Sequence, residues 1–245
     1  MIQSFKVWLQ NVLKTSAVGR CIYPRLQRVW RSIVIPIRRR RLHKYGYGAL
    51  SRLHELLTRN GVTYHCEAGT LLGIIRDEGF IKHDDDIDIC VPPGRVSMPK
   101  LIQTFIDSGY EFVQCLEYEG NISEFTVRDR TGIPIDVFTC WYSSDAPDKM
   151  FQRFPRWSPD RKYPNERANH LLEFEYVRPT GVKAVKVHGV EVMIPENYVE
   201  VLDSEFGPWR VPDPSFKSEM LKHKELPGFC YRIDLETALA KDLAS

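Results

Sequence analysis

Between Cys66 and Val91 the chain reads CEAGTLLGIIRDEGFIKHDDDIDICV, and within it four aspartates, Asp84, Asp85, Asp86 and Asp88, fall inside five positions. Carboxylates set so close repel one another, and a fold that buries them beside apolar residues needs a compensating cation. A divalent metal is the expected one. Side chains alternate along a strand, so a strand from Asp84 to Val91 sends Asp86 and Asp88 to one face and Ile87, Ile89 and Val91 to the other. Two carboxylates then meet a cleft above an apolar floor. Asp84 shares their parity at the strand's entrance and is given a supporting role, whereas Asp85 points elsewhere to cap or orient.

The residues on either side of the aspartates extend this site. A short strand, Val62 to Cys66, is predicted to turn at Ala68-Gly69-Thr70 into a helix, Leu71 to Arg76. That order aims the free N–H groups of a helix N-terminus at a phosphate. Thr is also an ordinary N-cap residue, so the turn takes its weight from the aspartates downstream. Farther along, Ile122–Arg128 and Ile133–Trp141 flank Asp129-Arg130-Thr131-Gly132 as a hairpin, and its second arm carries Asp136 between Ile135 and Val137. A lone acid in such a strand either pairs with an arginine such as Arg128 or completes the metal site. With the aspartates already present, the second reading is preferred.

Helical spacing predicts amphipathic helices from Met1 to Leu13, from Tyr23 to Val34 with a stop at Pro36, and from Tyr45 to Arg59 with an Asn60-Gly61 cap. Val96–Ser108 reads as a helix and Glu111–Glu117 as a strand. Ser143–Asn169 lacks periodicity and reads as a long excursion over the cleft. Leu171–Val177 and Lys183–Met193 supply strands, Pro195 opens a helix to Phe206, and the tail is a loop followed by a short helix. The domains expected are a basic helical extension over 1–44 and a catalytic domain over 45–245.

Charge divides the chain at the same place. Of 34 lysines and arginines, twelve precede Glu55 and none of the 32 acids does. A helical arm rich in Arg, Lys and Trp suits the surface of an anionic membrane, which is the partner preferred for it; the alternative is that the arm packs on the acidic body. Nucleic acid is set aside, because the body is acidic and carries no nucleic-acid motif. No run of residues is long and apolar enough to span a bilayer, and no secretory signal is legible at the N-terminus. The six cysteines, Cys21, Cys66, Cys90, Cys115, Cys140 and Cys230, have no zinc-site spacing and read as reduced thiols.

Glu67-Ala68-Gly69-Thr70-Leu71-Leu72-Gly73, Arg76, Gly79-Phe80-Ile81 and Asp84-Asp85-Asp86-Ile87-Asp88 together resemble the signature of the LicD family, which includes the fukutin-related proteins. Asp136 in its apolar strand and Phe206-Gly207-Pro208-Trp209 are similar to the family's later motifs, so the resemblance covers about 53–209. Lys82-His83 stands where the family commonly has Pro-Trp, and the arm before Tyr45 lies outside the resemblance.

The resemblance implies an α+β nucleotidyltransferase fold, a mixed sheet flanked by helices. It also implies a phosphotransferase that moves a phospho-alcohol such as phosphocholine or phosphoribitol from a CDP-linked donor to a hydroxyl of a glycan or its lipid-linked precursor, with release of CMP. Mg²⁺ or Mn²⁺ held by Asp86, Asp88 and Asp136 would bridge the donor diphosphate, and Asp136 would act as ligand or as base. Gly69 and Thr70 would hold donor phosphate. Arg76 or Lys82 would offset charge on the leaving group, although Arg76 is equally placed to be an ion-pair partner of the aspartates. His83 is left out of the catalytic set. The enzyme is expected on the inner, cytoplasmic face of the membrane. Competing readings are a nucleotidyltransferase that forms an NDP-linked product, an Asp-x-Asp glycosyltransferase, and a non-enzymatic module whose aspartates only hold calcium.

Overall fold

A computed structural model describes residues 17–94, 96–156, 168–213, 215–216 and 221–241, with the side chains of 17–28, 30, 31, 156, 168 and 169 left out. The helix expected over Met1–Leu13 lies outside these residues.

Helix α1 runs from Ala17 to Arg59 without interruption. It passes through Pro24 and Pro36, so Pro36 does not stop it as the sequence suggested. Proline removes one N–H and frees the carbonyl four residues earlier. Here Pro36 and Ser32 are both exposed, so water can take up the freed Ser32 carbonyl. The helix also crosses the expected junction at residue 44, and Leu42 is already fully buried with Leu50, Leu53 and Leu57. Its C-terminus closes as expected: Gly61 takes a φ of 65° and the Val62 N–H donates to the Leu57 carbonyl at 2.9 Å.

Strand β1 (His65–Cys66) leads into α2 (Ala68–Arg76), then β2 (Ile87–Val91), α3 (Met98–Asp107), β3 (Glu111–Tyr118), β4 (Asn121–Arg128) and β5 (Pro134–Thr139). The expected hairpin turn joins β4 to β5, with Gly132 at a φ of 80°. Next come β6 (Trp141–Ser143), β7 (Ala146–Arg156), β8 (Ala168–Val177), β9 (Val182–Val187), β10 (Val190–Pro195), α4 (Tyr198–Phe206), β11 (His223–Ile233) and α5 (Leu235–Ala240). Nine strands form one sheet in the order β1-β2-β5-β4-β3-β11-β8-β7-β6, and β9 and β10 form a separate hairpin. Among the described residues β2 and β5 are the one parallel pair, so the chain is α+β with a mixed sheet, as expected.

Three segments differ from their expected form. The excursion over Ser143–Asn169 is in its described part strand β7, paired to β8 from Lys149↔Val177 to Arg156↔His170. Its charged residues are accommodated by cross-strand partners: Arg153 meets Glu173 at 3.1 Å and Lys149 meets Glu175 at 3.6 Å. The tail contains β11, whose Pro227-Gly228 falls in a register shift between Leu226 and Cys230. Pro195 ends β10, and α4 starts three residues later.

The main core gathers Leu50, Leu53 and Leu57 of α1, Ile87 and Ile89 of β2, Phe125 and Val127 of β4, and Ile135 and Val137 of β5. Cys90, Met150, Leu172, Phe174 and Tyr176 form a second cluster. The alternation of β2 and β5 therefore puts Asp88 and Asp136 on the face away from the main core. Cys66, Cys90, Cys115, Cys140 and Cys230 are buried and free. No described helix is long and apolar enough to cross a membrane.

Candidate active site

Parallel pairing of β2 with β5 sets Asp88 directly beside Asp136, while Ile87 and Ile89 lie beside Ile135 and Val137. Asp86 precedes the strand with the parity of Asp88. These three carboxylates, predicted from sequence, are thus brought together at one end of two neighbouring strands. Thr126, across β4 from Asp136, donates its hydroxyl to Asp136 Oδ1 at 2.5 Å and fixes that carboxylate's orientation.

Burial and mutual repulsion raise all three. Asp86 is pushed up to about 7, first by burial and then by Asp136, Asp85 and Asp84. Asp88 goes well above the ordinary carboxylate value, by burial and then by Asp86 and Asp136. Asp136 is raised by burial against the opposing hydrogen bond from Thr126. Asp84, also raised by burial, reaches about 6. Among the described residues no three His, Cys, Asp or Glu side chains are already drawn around one point as metal ligands. The donor set nonetheless fits a hard divalent cation: oxygen-only, anionic and held apart by its own repulsion, which such an ion would relieve.

The turn before α2 is built for close approach. Glu67 is extended, with φ −140° and ψ 170°, and Ala68 has a φ of 46°, in the left-handed region. A Cβ on Gly69 would lie 2.9 Å from Asp84 Oδ2, so the missing side chain lets Asp84 stand at the start of the helix. Thr70 is buried and its Oγ1 accepts the Asp88 N–H at 2.8 Å, which ties α2 to the aspartate strand. Arg76 forms a two-pronged pair with Asp77, at 2.8 and 2.9 Å, and lines a neighbouring cavity together with Gly69, His83 and Asp84. Lys82 is exposed.

Several residues at the site were not foreseen. Arg38 of α1 pairs with Asp85 at 3.4 Å, and its charge also favours the ionised forms of Asp86 and Asp136. The cationic stretch therefore reaches the acidic cleft itself. Glu124 on β4 is buried, and burial followed by Asp136 pushes it up to about 8. It shares the parity of Thr126, the signal that could have found it. Glu67 is buried and is pushed up by burial to about 7, against a hydrogen bond from Gln152 Nε2 at 2.6 Å. A cavity of about 640 Å³ opens beside these groups, with Gly69, Glu124 and Asp136 in its wall.

The raised carboxylates set the pH response of the metal-free chain. Unfolded, they titrate near 3.8 (Asp) or 4.5 (Glu); folded, Asp86, Glu67 and Glu124 keep protons to about 7 or 8. Between those limits the native state binds more protons than the unfolded one, so stability falls as pH rises. Asp129 has the opposite sign. Burial would raise it, but hydrogen bonds from Thr131, Arg52 and the Ile133 N–H hold it low, so its contribution is present above 3.8 and lost as pH falls through its lower folded value. Urea midpoints measured in chelator are expected to be higher at about pH 5 than at about pH 8. Saturating Mg²⁺ should flatten the difference, and a midpoint that climbs toward alkaline pH would contradict the assignment.

The model of the family described as LicD/FKTN/FKRP, nucleotidyltransferase domain, matches residues 61–197, more than half of the chain. An uncharacterized protein of Rickettsia prowazekii (strain Madrid E) is 38% identical over 65 residues, covering 26% of this chain and 24% of that protein. One of Rickettsia typhi (strain ATCC VR-144 / Wilmington) is 33% identical over 93 residues, 35% of this chain and 30% of that protein. The lipopolysaccharide cholinephosphotransferase LicD of Haemophilus influenzae (strain ATCC 51907 / DSM 11121 / KW20 / Rd) is 30% identical over 91 residues, 37% of this chain and 32% of that protein. The matches thus span no more than about a third of these relatives. Among solved structures, the lincomycin-bound lincosamide antibiotic adenylyltransferase LnuA gives a TM-score of 0.39 at 14% identity, over 62% of this chain and 80% of that one. With the aspartate pair, the Gly-Thr turn and the later Asp136 strand all inside the span matched by the family model, the chain belongs to the LicD/FKTN/FKRP family through its nucleotidyltransferase domain.

Proposed function

We propose that the chain is a metal-dependent transferase that moves a phospho-alcohol group from a CDP-linked donor to a hydroxyl of a glycan or a lipid-linked glycan precursor. The observation that carries this reading is the in-register pair Asp88 and Asp136, with Asp86 beside them on the same face. Asp86, Asp88 and Asp136 would hold Mg²⁺ or Mn²⁺, which when bound neutralises the donor diphosphate and makes the nearer phosphorus more electrophilic. The name of the Haemophilus relative, a cholinephosphotransferase, supports the reaction class.

In this reading the acceptor hydroxyl oxygen forms a bond to the phosphorus that bears the alcohol, the bridging P–O bond breaks, and CMP leaves. The hydroxyl proton passes to Asp136, whose orientation Thr126 holds. Thr70 keeps the Asp88 backbone in place from below. Backbone N–H groups at Gly69 and Thr70 would face donor phosphate, with Arg38 and exposed Lys82 as the nearby cations that offset its charge. Arg76 enters this reading as a structural partner of Asp77.

A donor screen tests the proposal. With Mg²⁺ or Mn²⁺ present, the purified chain is expected to bind or cleave one CDP-alcohol among CDP-choline, CDP-ribitol and CDP-glycerol, with CMP as the product. Pyrophosphate from CTP would move it to the nucleotidyltransferases, and UDP from a sugar nucleotide to the glycosyltransferases. Absence of metal-dependent binding for every CDP donor would end the reading.

A further inference from the structure

A second cavity, of about 550 Å³, lies on the other side of the strands that build the aspartate site. Side chains alternate along β5 and β7, so Phe138, Gln152 and Phe154 line the aspartate cavity while Thr139 and Arg153 line this one. The two cavities share no lining residue. The transfer chemistry therefore makes no use of this space.

Its charged wall is cationic. Arg153 and Lys241 line it, and among the described residues no Asp or Glu does. Arg153 lies over two aromatic rings, its guanidinium carbon 3.9 Å from the centre of Trp141 and 4.9 Å from that of Tyr118. Its Nε donates to Glu173 at 3.1 Å, and its two terminal nitrogens make no hydrogen bond among the described residues. A planar guanidinium held in this way is a pre-set fork whose donors match two oxygens of an oxyanion. Lys241 Nζ donates to the Gly120 carbonyl at 3.0 Å and stands 3.6 Å from Glu117, which holds its charge at the same wall. The first turn of α3 lines the cavity through Ser97, Met98 and Pro99 and contains no acid, so the positive end of that helix adds to the potential.

Two fixed cations suit the double charge of a phosphate monoester better than the single charge of a carboxylate. The rest of the wall, with Val91, Val96 and Ile122, is apolar, and the volume is that of a small-molecule site rather than of an inorganic ion. The ligand therefore has an anionic end and a larger, less polar body.

We infer that this cavity is a second binding site, for a phosphorylated sugar, with Arg153 as the two-pronged partner of the phosphate and Lys241 as its second charge. The site stands whether or not the transferase reading does. Its phosphate can belong to a free sugar phosphate or to a phosphorylated sugar within a glycan, since the recognised group is the same.

The test is calorimetric titration of the full chain with glucose 6-phosphate and with glucose, in chelator so that the aspartates hold no metal. Glucose 6-phosphate is expected to bind in the millimolar range or tighter, and glucose at least about tenfold more weakly. Arg153→Gln should weaken glucose 6-phosphate at least about tenfold. Lys241→Gln, at the C-cap of α5, should weaken it about threefold and keeps the site testable if Arg153→Gln does not fold. Amide hydrogen exchange gives the place: protection by glucose 6-phosphate is expected over 96–101 and 118–123 and not over 66–88. A phosphorylated oligosaccharide run in parallel separates the sources, because tighter binding than glucose 6-phosphate points to a glycan and weaker binding to a free metabolite. Equal binding of glucose and glucose 6-phosphate, affinity unchanged in both variants, protection confined to 66–88, or no heat at about 20 mM would overturn the inference.

Discussion

Asp88→Asn is expected to lower CMP release about a thousandfold, the order seen when one charged or polar group at a reacting centre is removed, equivalent to about 4 kcal/mol of barrier. The same change should make the protein more stable. Asp88 is raised well above its ordinary value by burial and then by Asp86 and Asp136, so folding at neutral pH obliges it to take up a proton or to keep a buried charge, and Asn carries neither cost. Asn keeps the volume, and the Thr70 contact survives because it is made by the Asp88 backbone N–H. Removal of such a strain typically adds about 1 kcal/mol, or roughly 3 °C in Tm for a chain of this size. Two readouts with opposite signs make the prediction sharp. A stable variant with activity within tenfold of the parent places Asp88 outside the chemistry, whereas loss of both activity and stability makes it a structural residue.

Gly73→Ala is expected to give the largest loss of stability among conservative changes near the site. A Cβ there would lie 2.4 Å from the Gly79 carbonyl oxygen and 3.0 Å from the Ile81 nitrogen, both backbone atoms that cannot rotate away. The segment after α2 folds tightly onto that helix, with the Asp77 and Gly79 N–H groups both donating to the Gly73 carbonyl, at 2.9 and 3.1 Å. Making room for one methyl means displacing Ile81, which is buried and whose carbonyl accepts the Asp84 N–H at 3.0 Å. Overpacking of this kind costs about 3 kcal/mol, which corresponds to a drop of roughly 10 °C in Tm. Activity should fall as well, because the displaced segment delivers the aspartates. A melting temperature within about 2 °C of the parent would show that the segment yields more easily than this packing implies.

How much of this was legible beforehand depended on whether a residue's partner was close in sequence. The aspartate strand declared itself through charge density and a period of two, and Asp136 through its isolation among apolar neighbours. Asn60-Gly61 and Asp129–Gly132 were read correctly because turns and caps are local chemistry. Strand β7 was missed because its charged positions are neutralised by Glu173 and Glu175 on β8, which no window around residue 150 contains. Strand β11 was missed because Pro227-Gly228 reads as a turn, and here it marks a bulge with Gly228 at a φ of 87°. At the site, Glu124 and Arg38 stayed hidden for the same reason. Each is an ordinary charged residue until the fold brings it to the cleft.

Helix α1 gives the molecule a lever as well as a wall. Its 43 residues make a rod roughly 65 Å long at the usual rise per residue. One end is fixed in the core by Leu42, Leu50 and Leu53, and Arg38 touches the acidic cleft on the way out. Beyond it Ile37, Ile33 and Val29 stand exposed at intervals of four, a stripe along one side of the rod. With no loop between stripe and cleft, a rotation of the rod about its own axis turns both together. A surface bound by the stripe would therefore also fix the compass bearing of the cleft mouth.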